Sequence, residues 1–269
     1  YILKEQNVDY EEKVIAELIK KHFPDFRKLI NEFRKLLAGF QQDEVDIQTL
    51  LGHPVSDALR YFFKNFPLTY REEHIHLTGS LTADFVYPNL RPLLEGPNAQ
   101  RYLDIIKLNY DGDYKLDSVE DIDEMLRLKD DEQFDRYLKI LLLPKLILKD
   151  RQAHKEAAFH MASELYHSYN IGFIRLKFTF SRATKDKSES IPGLEKLSEE
   201  DVVLGLHEGF MEFKKKVPSF NFVLSPCFRK EADFYDADKF ASKKDHFDYS
   251  IDKILRIIER NPEVGPYLT

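Results

Sequence analysis

The sequence of 269 residues contains no tryptophan, 10 glycines and 1 cysteine. Because Cys227 has no second cysteine to pair with, a disulfide within the chain is excluded, and this cysteine usage suits a reducing compartment. No apolar run approaches the roughly 20 residues that a transmembrane helix needs, and no signal peptide opens the sequence. These absences predict a cytoplasmic globular protein that does not span a membrane.

The charge balance is acidic, with 40 Lys and Arg against 47 Asp and Glu and a net charge of -7. Nucleic-acid-binding domains favour a basic face, so this balance argues against a nucleic-acid partner. The hydrophobic share of 43% and the charged share of 32% are compatible with an ordinary core and surface. Composition leaves open whether the chain forms oligomers.

The most informative segment is Glu73-His74-Ile75-His76-Leu77-Thr78-Gly79-Ser80. Two histidines one residue apart on an extended segment point to the same face, so both imidazoles can converge on one metal ion. Neutral imidazole is a common zinc ligand, and the residues after His76 supply a tight exit from the strand. The segment predicts a metal site at the C-terminal mouth of a barrel strand. The alternative is a pair of ordinary strand histidines with satisfied ring nitrogens.

Residues 74–81, His-Ile-His-Leu-Thr-Gly-Ser-Leu, closely resemble the first-strand signature of the adenosine deaminase family. Two further segments follow in the order that this family has. Residues 170–178, Asn-Ile-Gly-Phe-Ile-Arg-Leu-Lys-Phe, are similar to its second strand. Residues 220–229, Phe-Asn-Phe-Val-Leu-Ser-Pro-Cys-Phe-Arg, are similar to its third strand, which ends in Arg. The resemblance extends from about residue 69 to the C-terminus.

The resemblance implies zinc-dependent hydrolytic deamination of adenosine or a related purine nucleoside or nucleotide. Zinc lowers the pKa of its bound water to about 7, which gives a nucleophile at neutral pH. His74 and His76 would be two of the Zn²⁺ ligands, and Thr78 and Gly79 would contact the substrate. Thr78 stands where many members carry an Asp that bonds the ribose. An uncharged hydroxyl there would tolerate a nucleotide substrate.

The fold that the resemblance implies is α/β: an incomplete (β/α)8 TIM-type barrel preceded by a helical N-terminal segment. A whole barrel takes about 250 residues, and the chain has room for about the first three strands only. We expect a helical extension over 1–68 and the barrel part over 69–269, with a helical insertion over 82–150. Three strands alone would leave two open edges and an exposed apolar face, which predicts self-association.

Several features of the resembled family are missing or altered. Its third His, its Asp and its catalytic Glu come from later strands, and this chain contains none of those motifs, so its catalytic residue is unknown. Arg175 and Lys177 stand where the family commonly has Glu and Arg, which puts the substrate in question. We therefore expect this chain to be inactive by itself.

The N-terminal segment allows two interpretations. Residues 23–32, Phe-Pro-Asp-Phe-Arg-Lys-Leu-Ile-Asn-Glu, resemble the helical lid of clamp-loader ATPases within a wider similarity over 1–52. No Walker A motif is present, so ATP binding is not predicted. The apolar residues of 9–38 recur at helical spacing, and the alternative is an amphipathic helical pair that packs on the barrel.

Two other functions remain open besides the deaminase. One is another amidohydrolase-type metallohydrolase, because His-x-His on a first strand is shared widely among such barrels. The other is a non-catalytic helical binding or assembly module.

Overall fold

The chain divides into two compact units, Tyr1–Phe66 and Pro67–Thr269. The computed structural model describes residues of the second unit only. The predicted helical extension and its resemblance to a clamp-loader lid lie outside the described residues. These residues are 69–110, 114–128, 136, 139–178, 192, 194–227 and 239–269.

Three parallel strands form one sheet in the order β1-β2-β3. They are β1 (Tyr70–His76), β2 (Ile171–Phe178) and β3 (Asn221–Pro226). Leu268 adds a parallel bridge to Leu224 beside β3. Parallel neighbours need long crossover connections, and helices fill both of them. The predicted α/β class with parallel strands is confirmed.

Helices occupy most of the described chain between and after the strands. Of the helices that the structure describes, five lie in the connection from β1 to β2, one lies in the connection from β2 to β3, and one follows β3. Among the described residues, the 3-10 segment Leu194–Lys196 lies before the helix that connects β2 to β3. A second one, Pro262–Tyr267, follows the last helix. No helix among the described residues combines the length and apolar character needed to cross a bilayer. The helices are α1 (Ala83–Glu95), α2 (Ala99–Asn109), α3 (Val119–Leu126), α4 (Leu142–Ile147), α5 (Arg151–Tyr169), α6 (Glu199–Lys216) and α7 (Lys243–Arg260).

Local sequence explains where several helices begin and end. The side chains of Ser118, Asp150, Ser198 and Ser242 each accept a hydrogen bond from the backbone N–H three residues on, as N-cap residues do. Asn170 ends α5 in the left-handed region, with φ 56° and ψ 35°. Asn takes this conformation more readily than most residues, and the chain turns there into β2.

One face of the sheet packs against α5 and α6. Alternate residues of β2 and β3 are buried on this side, in keeping with the two-residue period of a strand. They are Gly172, Ile174, Leu176, Phe178, Phe222 and Leu224. The opposite face of the sheet therefore carries the residues between them.

Candidate metal centre

The face of the sheet opposite α5 and α6 is rich in charged and polar side chains, and we call it the polar face. Phe173, Arg175 and Lys177 of β2 belong to it, because their neighbours in the strand are the buried residues of the helix side. The register pairs Lys177 with His76 of β1 and with Ser225 of β3. Residues paired across parallel strands share a face, so His76 and Ser225 lie on the polar face as well.

A bulge in β1 adds a further side chain to this face. Glu72 pairs with Ile174 and Ile75 with Leu176, so three steps on β1 match two on β2. Such an extra residue re-aims side chains, and bulges are frequent beside functional sites. Here the Glu73 carboxylate lies 3.0 Å from Arg175 Nε, on the polar face. The His74 N–H, within the bulge, donates to Glu72 Oε1 at 2.9 Å.

The two predicted ligands lie close together. His74 Nε2 and His76 Nε2 are 3.3 Å apart, and their ring centroids are 5.2 Å apart at an angle of 54°. Zinc–nitrogen bonds of about 2.0–2.1 Å at a tetrahedral angle place two nitrogens about 3.3–3.4 Å apart. Both side chains are exposed and open to an incoming ion. The spacing also suits a hydrogen bond between the rings, so the alternative of two satisfied histidines stays open.

The surroundings of His76 favour its neutral form. Burial lowers the pKa of the His76 imidazole, and the neighbouring His74 ring lowers it further, against a backbone hydrogen bond with Lys177 that raises it. A metal ligand must present an unprotonated nitrogen. This direction of the pKa shift favours the unprotonated nitrogen that a metal ligand must present.

The histidine pair supplies half of a tetrahedral ligand set. Among the described residues there is no group of three or more His, Cys, Asp or Glu side chains that could hold a metal ion. The nearby carboxylate of Glu73 is already engaged, because it accepts from Arg71 Nη2 at 3.0 Å and from Arg175 Nε at 3.0 Å. These two hydrogen bonds, Arg175 first, lower the pKa of Glu73.

Arg175 links the strands of the polar face. Its Nη1 donates to Thr269 Oγ1 at 2.9 Å, and the same hydroxyl lies 3.0 Å from Ser225 Oγ. With the ion pair to Glu73, this side chain joins β1, β2 and the segment beside β3. The Arg that departs from the resembled family's pattern therefore has a structural role here.

The turn after β1 has the predicted tight form. Ser80 N–H donates to Leu77 O at 3.0 Å, which closes the turn around Thr78 and Gly79. The φ of Gly79 lies outside the left-handed region, and an added Cβ would meet Leu141 Cδ2 at 3.7 Å, an ordinary contact. Neither its dihedral angles nor a close contact therefore requires glycine at this position. The role of Thr78 and Gly79 in binding substrate stays a prediction.

Four more described histidines lie on α5 and α6, namely His154, His160, His167 and His207. His154 and His160 each have a hydrogen-bond partner at 2.9 Å, and His167 is exposed. His207 differs, because its Nε2 is buried without a hydrogen-bond partner among the described residues. Its position on the core side of α6 separates it from the polar face.

The structure brings His74 and His76 together and places Thr78 and Gly79 directly after them. Arg229, the proposed counterpart of the third-strand Arg, lies outside the described residues. No protein-family model matches the chain, and no curated protein matches it.

Proposed function

We propose that the chain is part of a zinc-dependent hydrolase that deaminates adenosine or a related purine nucleoside or nucleotide in the cytoplasm. In this proposal β1, β2 and β3 are the first strands of a (β/α)8-type barrel, and the polar face lines its interior. The observation that carries the proposal is the 3.3 Å distance between His74 Nε2 and His76 Nε2. That distance fits two ligands of one tetrahedral zinc ion.

The position of the pair supports the proposal. In barrels of this kind, active sites lie at the carboxyl ends of the strands. His76 is the last residue of β1, and Lys177 and Ser225 lie next to last in β2 and β3. The parallel bridge of Leu268 to Leu224 is the pairing expected of a sheet that continues past β3.

The residues of this chain would have the following roles in the reaction. His74 and His76 hold the zinc ion, which supplies a hydroxide nucleophile at neutral pH when bound. Thr78 offers an uncharged hydroxyl to the ribose, and Gly79 leaves room for the substrate to approach the backbone. The general acid of the resembled family is a Glu that this sequence does not contain. The chain is therefore proposed to bind metal without turnover by itself.

A second candidate, another amidohydrolase-type metallohydrolase, is favoured by one observation. Arg175 and Lys177 occupy the polar face where the resembled deaminases carry Glu and Arg. Arg175 already binds Glu73 and Thr269. Lys177 is therefore the residue of this pair that would contact a substrate other than a purine.

A zinc titration of the full chain, in competition with a chromophoric chelator, tests the proposal. We expect one zinc per chain, and a loss of affinity of about tenfold or more in His74→Ala and in His76→Ala. His167→Ala is the matched control, because His167 is exposed on α5 in the helix layer. Equal zinc affinity in the wild type and all three variants would contradict the proposal.

A further inference from the structure

A row of three side chains crosses the sheet at its carboxyl end, and we call it the polar row. It consists of His76, Lys177 and Ser225, which the register places side by side on β1, β2 and β3. Neighbouring strands lie about 4.8 Å apart, so the lysine lies one strand away from the imidazole pair. Lys177 is the central member of the row, and neither of its paired neighbours is a carboxylate.

The charge of Lys177 has no counter-ion within the described part of the chain. The other two cations of the polar face, Arg71 and Arg175, share the carboxylate of Glu73. Glu72, the other acidic residue of β1, accepts from the His74 N–H. Lys177 makes no such pair with a described residue, and its charge interacts with the imidazole of His76.

The partial burial of Lys177 indicates that its unpaired charge could be a site for an anionic ligand. Lys177 is half-buried, unlike the exposed Lys107 on α2. An ammonium without a counter-ion attracts anions, and partial burial of its side chain weakens the screening of that attraction by water. Charged hydrogen bonds to phosphate are about twice as strong as neutral ones. A half-buried lysine beside a metal-ligand pair is therefore a natural anchor for an anionic ligand.

We propose that Lys177 binds an anionic group of the substrate, a phosphate monoester, so that the substrate is a purine nucleotide and not the free nucleoside. This inference rests on the proposed function for the identity of the purine. Thr78 agrees with it, because a hydroxyl near the ribose does not repel a phosphate as an Asp would. Ser225 agrees as well, since its side chain brings no negative charge to the row.

The test compares the binding of adenosine 5′-monophosphate with that of adenosine to the full chain, by calorimetry or by ligand NMR, up to about 10 mM ligand. We expect the nucleotide to bind at least about fivefold more tightly, and Lys177→Met to abolish the difference. Lys107→Met is the matched control and should leave the difference intact. Lys177→Arg keeps the charge and should retain the preference, which guards against a misfolded Met variant.

Two results would overturn the inference: equal or undetectable binding of both ligands by the wild type, or a nucleotide preference that persists in Lys177→Met. Inorganic phosphate alone should also bind to the wild type, more weakly as salt rises, because the contact is electrostatic. The zinc titration of His74→Ala and His76→Ala is independent of these outcomes. Absence of zinc binding together with a Lys177-dependent preference for the nucleotide would refute the deaminase and leave the anion site standing.

Discussion

At the scale of single residues, Glu73 illustrates what a bulge changes. A regular two-residue alternation would direct Glu73 away from the face that His74 and His76 share. The extra residue in β1 places its carboxylate beside Arg175, 3.0 Å from Nε. The polar face thereby gains a carboxylate that holds two arginines, and Lys177 is left as its unpaired cation among the described residues.

His207 allows a prediction at this scale. Its ring centroid lies 6.0 Å from that of Phe222 and 5.1 Å from that of Tyr267, and its Nε2 is buried without a partner among the described residues. An unsatisfied buried polar group costs about 1–3 kcal/mol. We expect His207→Phe to raise the free energy of unfolding at neutral pH by about 1 kcal/mol, measured by urea denaturation.

The control for this change is His167→Phe, at an exposed position of α5. It should alter the free energy of unfolding by less than about 0.5 kcal/mol, as surface substitutions usually do. A clear destabilisation by His207→Phe would show that the imidazole nitrogen has a partner in solution.

At the scale of elements, two glycines let α5 and α6 approach closely. Gly205 and Gly209 lie four residues apart and so share one side of α6. A Cβ on Gly205 would lie 2.4 Å from Arg151 O, and one on Gly209 would lie 2.2 Å from Lys155 O. Ion pairs such as Lys155 with Glu212 at 3.0 Å join the same two helices. Exposed pairs of this kind contribute at most about 1 kcal/mol, so the packing decides the stability of the contact.

We therefore expect Gly209→Ala to destabilise the protein. Helix propensity alone would give a gain of about 1 kcal/mol. Overpacking costs about 1–3 kcal/mol, and the obstacle here is backbone, which cannot rotate aside. The measurement is the midpoint of urea unfolding. Gly79→Ala is the control, since its Cβ would meet only ordinary contacts at 3.7 Å and beyond. A stabilised Gly209→Ala variant would mean that the helices lie farther apart than described.

The elements show how far sequence reasoning reaches. The helix α5 (Arg151–Tyr169) begins directly after Asp150, a residue type that favours the N-cap position. The strand predicted over 170–178 is β2 (Ile171–Phe178). Caps and residue periods are local signals, so they are visible in one sequence. The bulge and the polar row depend on the register between strands far apart in the chain, so the pattern of β1 alone could not predict them.

At the scale of the molecule, one expectation about the sheet is wrong. Three strands were expected to expose an apolar face, but the described polar face carries Arg71, Glu73, His76, Arg175 and Lys177. Charged side chains on a sheet surface discourage association between copies. Self-association stays a prediction that rests on the sheet edges alone.

Acid should destabilise the whole fold through its histidines. Burial is the first cause that lowers the pKa of His154, His160 and His207 from the ordinary value of 6.5. Below about pH 6.5 the unfolded chain therefore binds more protons than the folded one, and the free energy of unfolding falls as the pH falls.

Urea denaturation at about pH 8, 7, 6 and 5 tests this expectation. We expect nearly constant stability at the two higher values and a progressive loss at the two lower ones. His207→Phe should show a shallower loss, because one of the histidines with a lowered pKa no longer titrates. Stability that is unchanged or higher at pH 5 would contradict the lowered pKa values.

The bulge in β1 also limits which deletions this strand can accept. Removing Glu73 or His74 would leave two steps on β1 against two steps on β2 between the pairs Glu72–Ile174 and Ile75–Leu176. The pairing of His76 with Lys177 could then be kept, but the polar face would lose either the carboxylate that holds Arg175 or one imidazole of the pair, because a regular strand places only one residue there between Glu72 and Ile75. The extra residue lets Glu73, His74 and His76 share one face, so the length of this segment matters as well as its side chains.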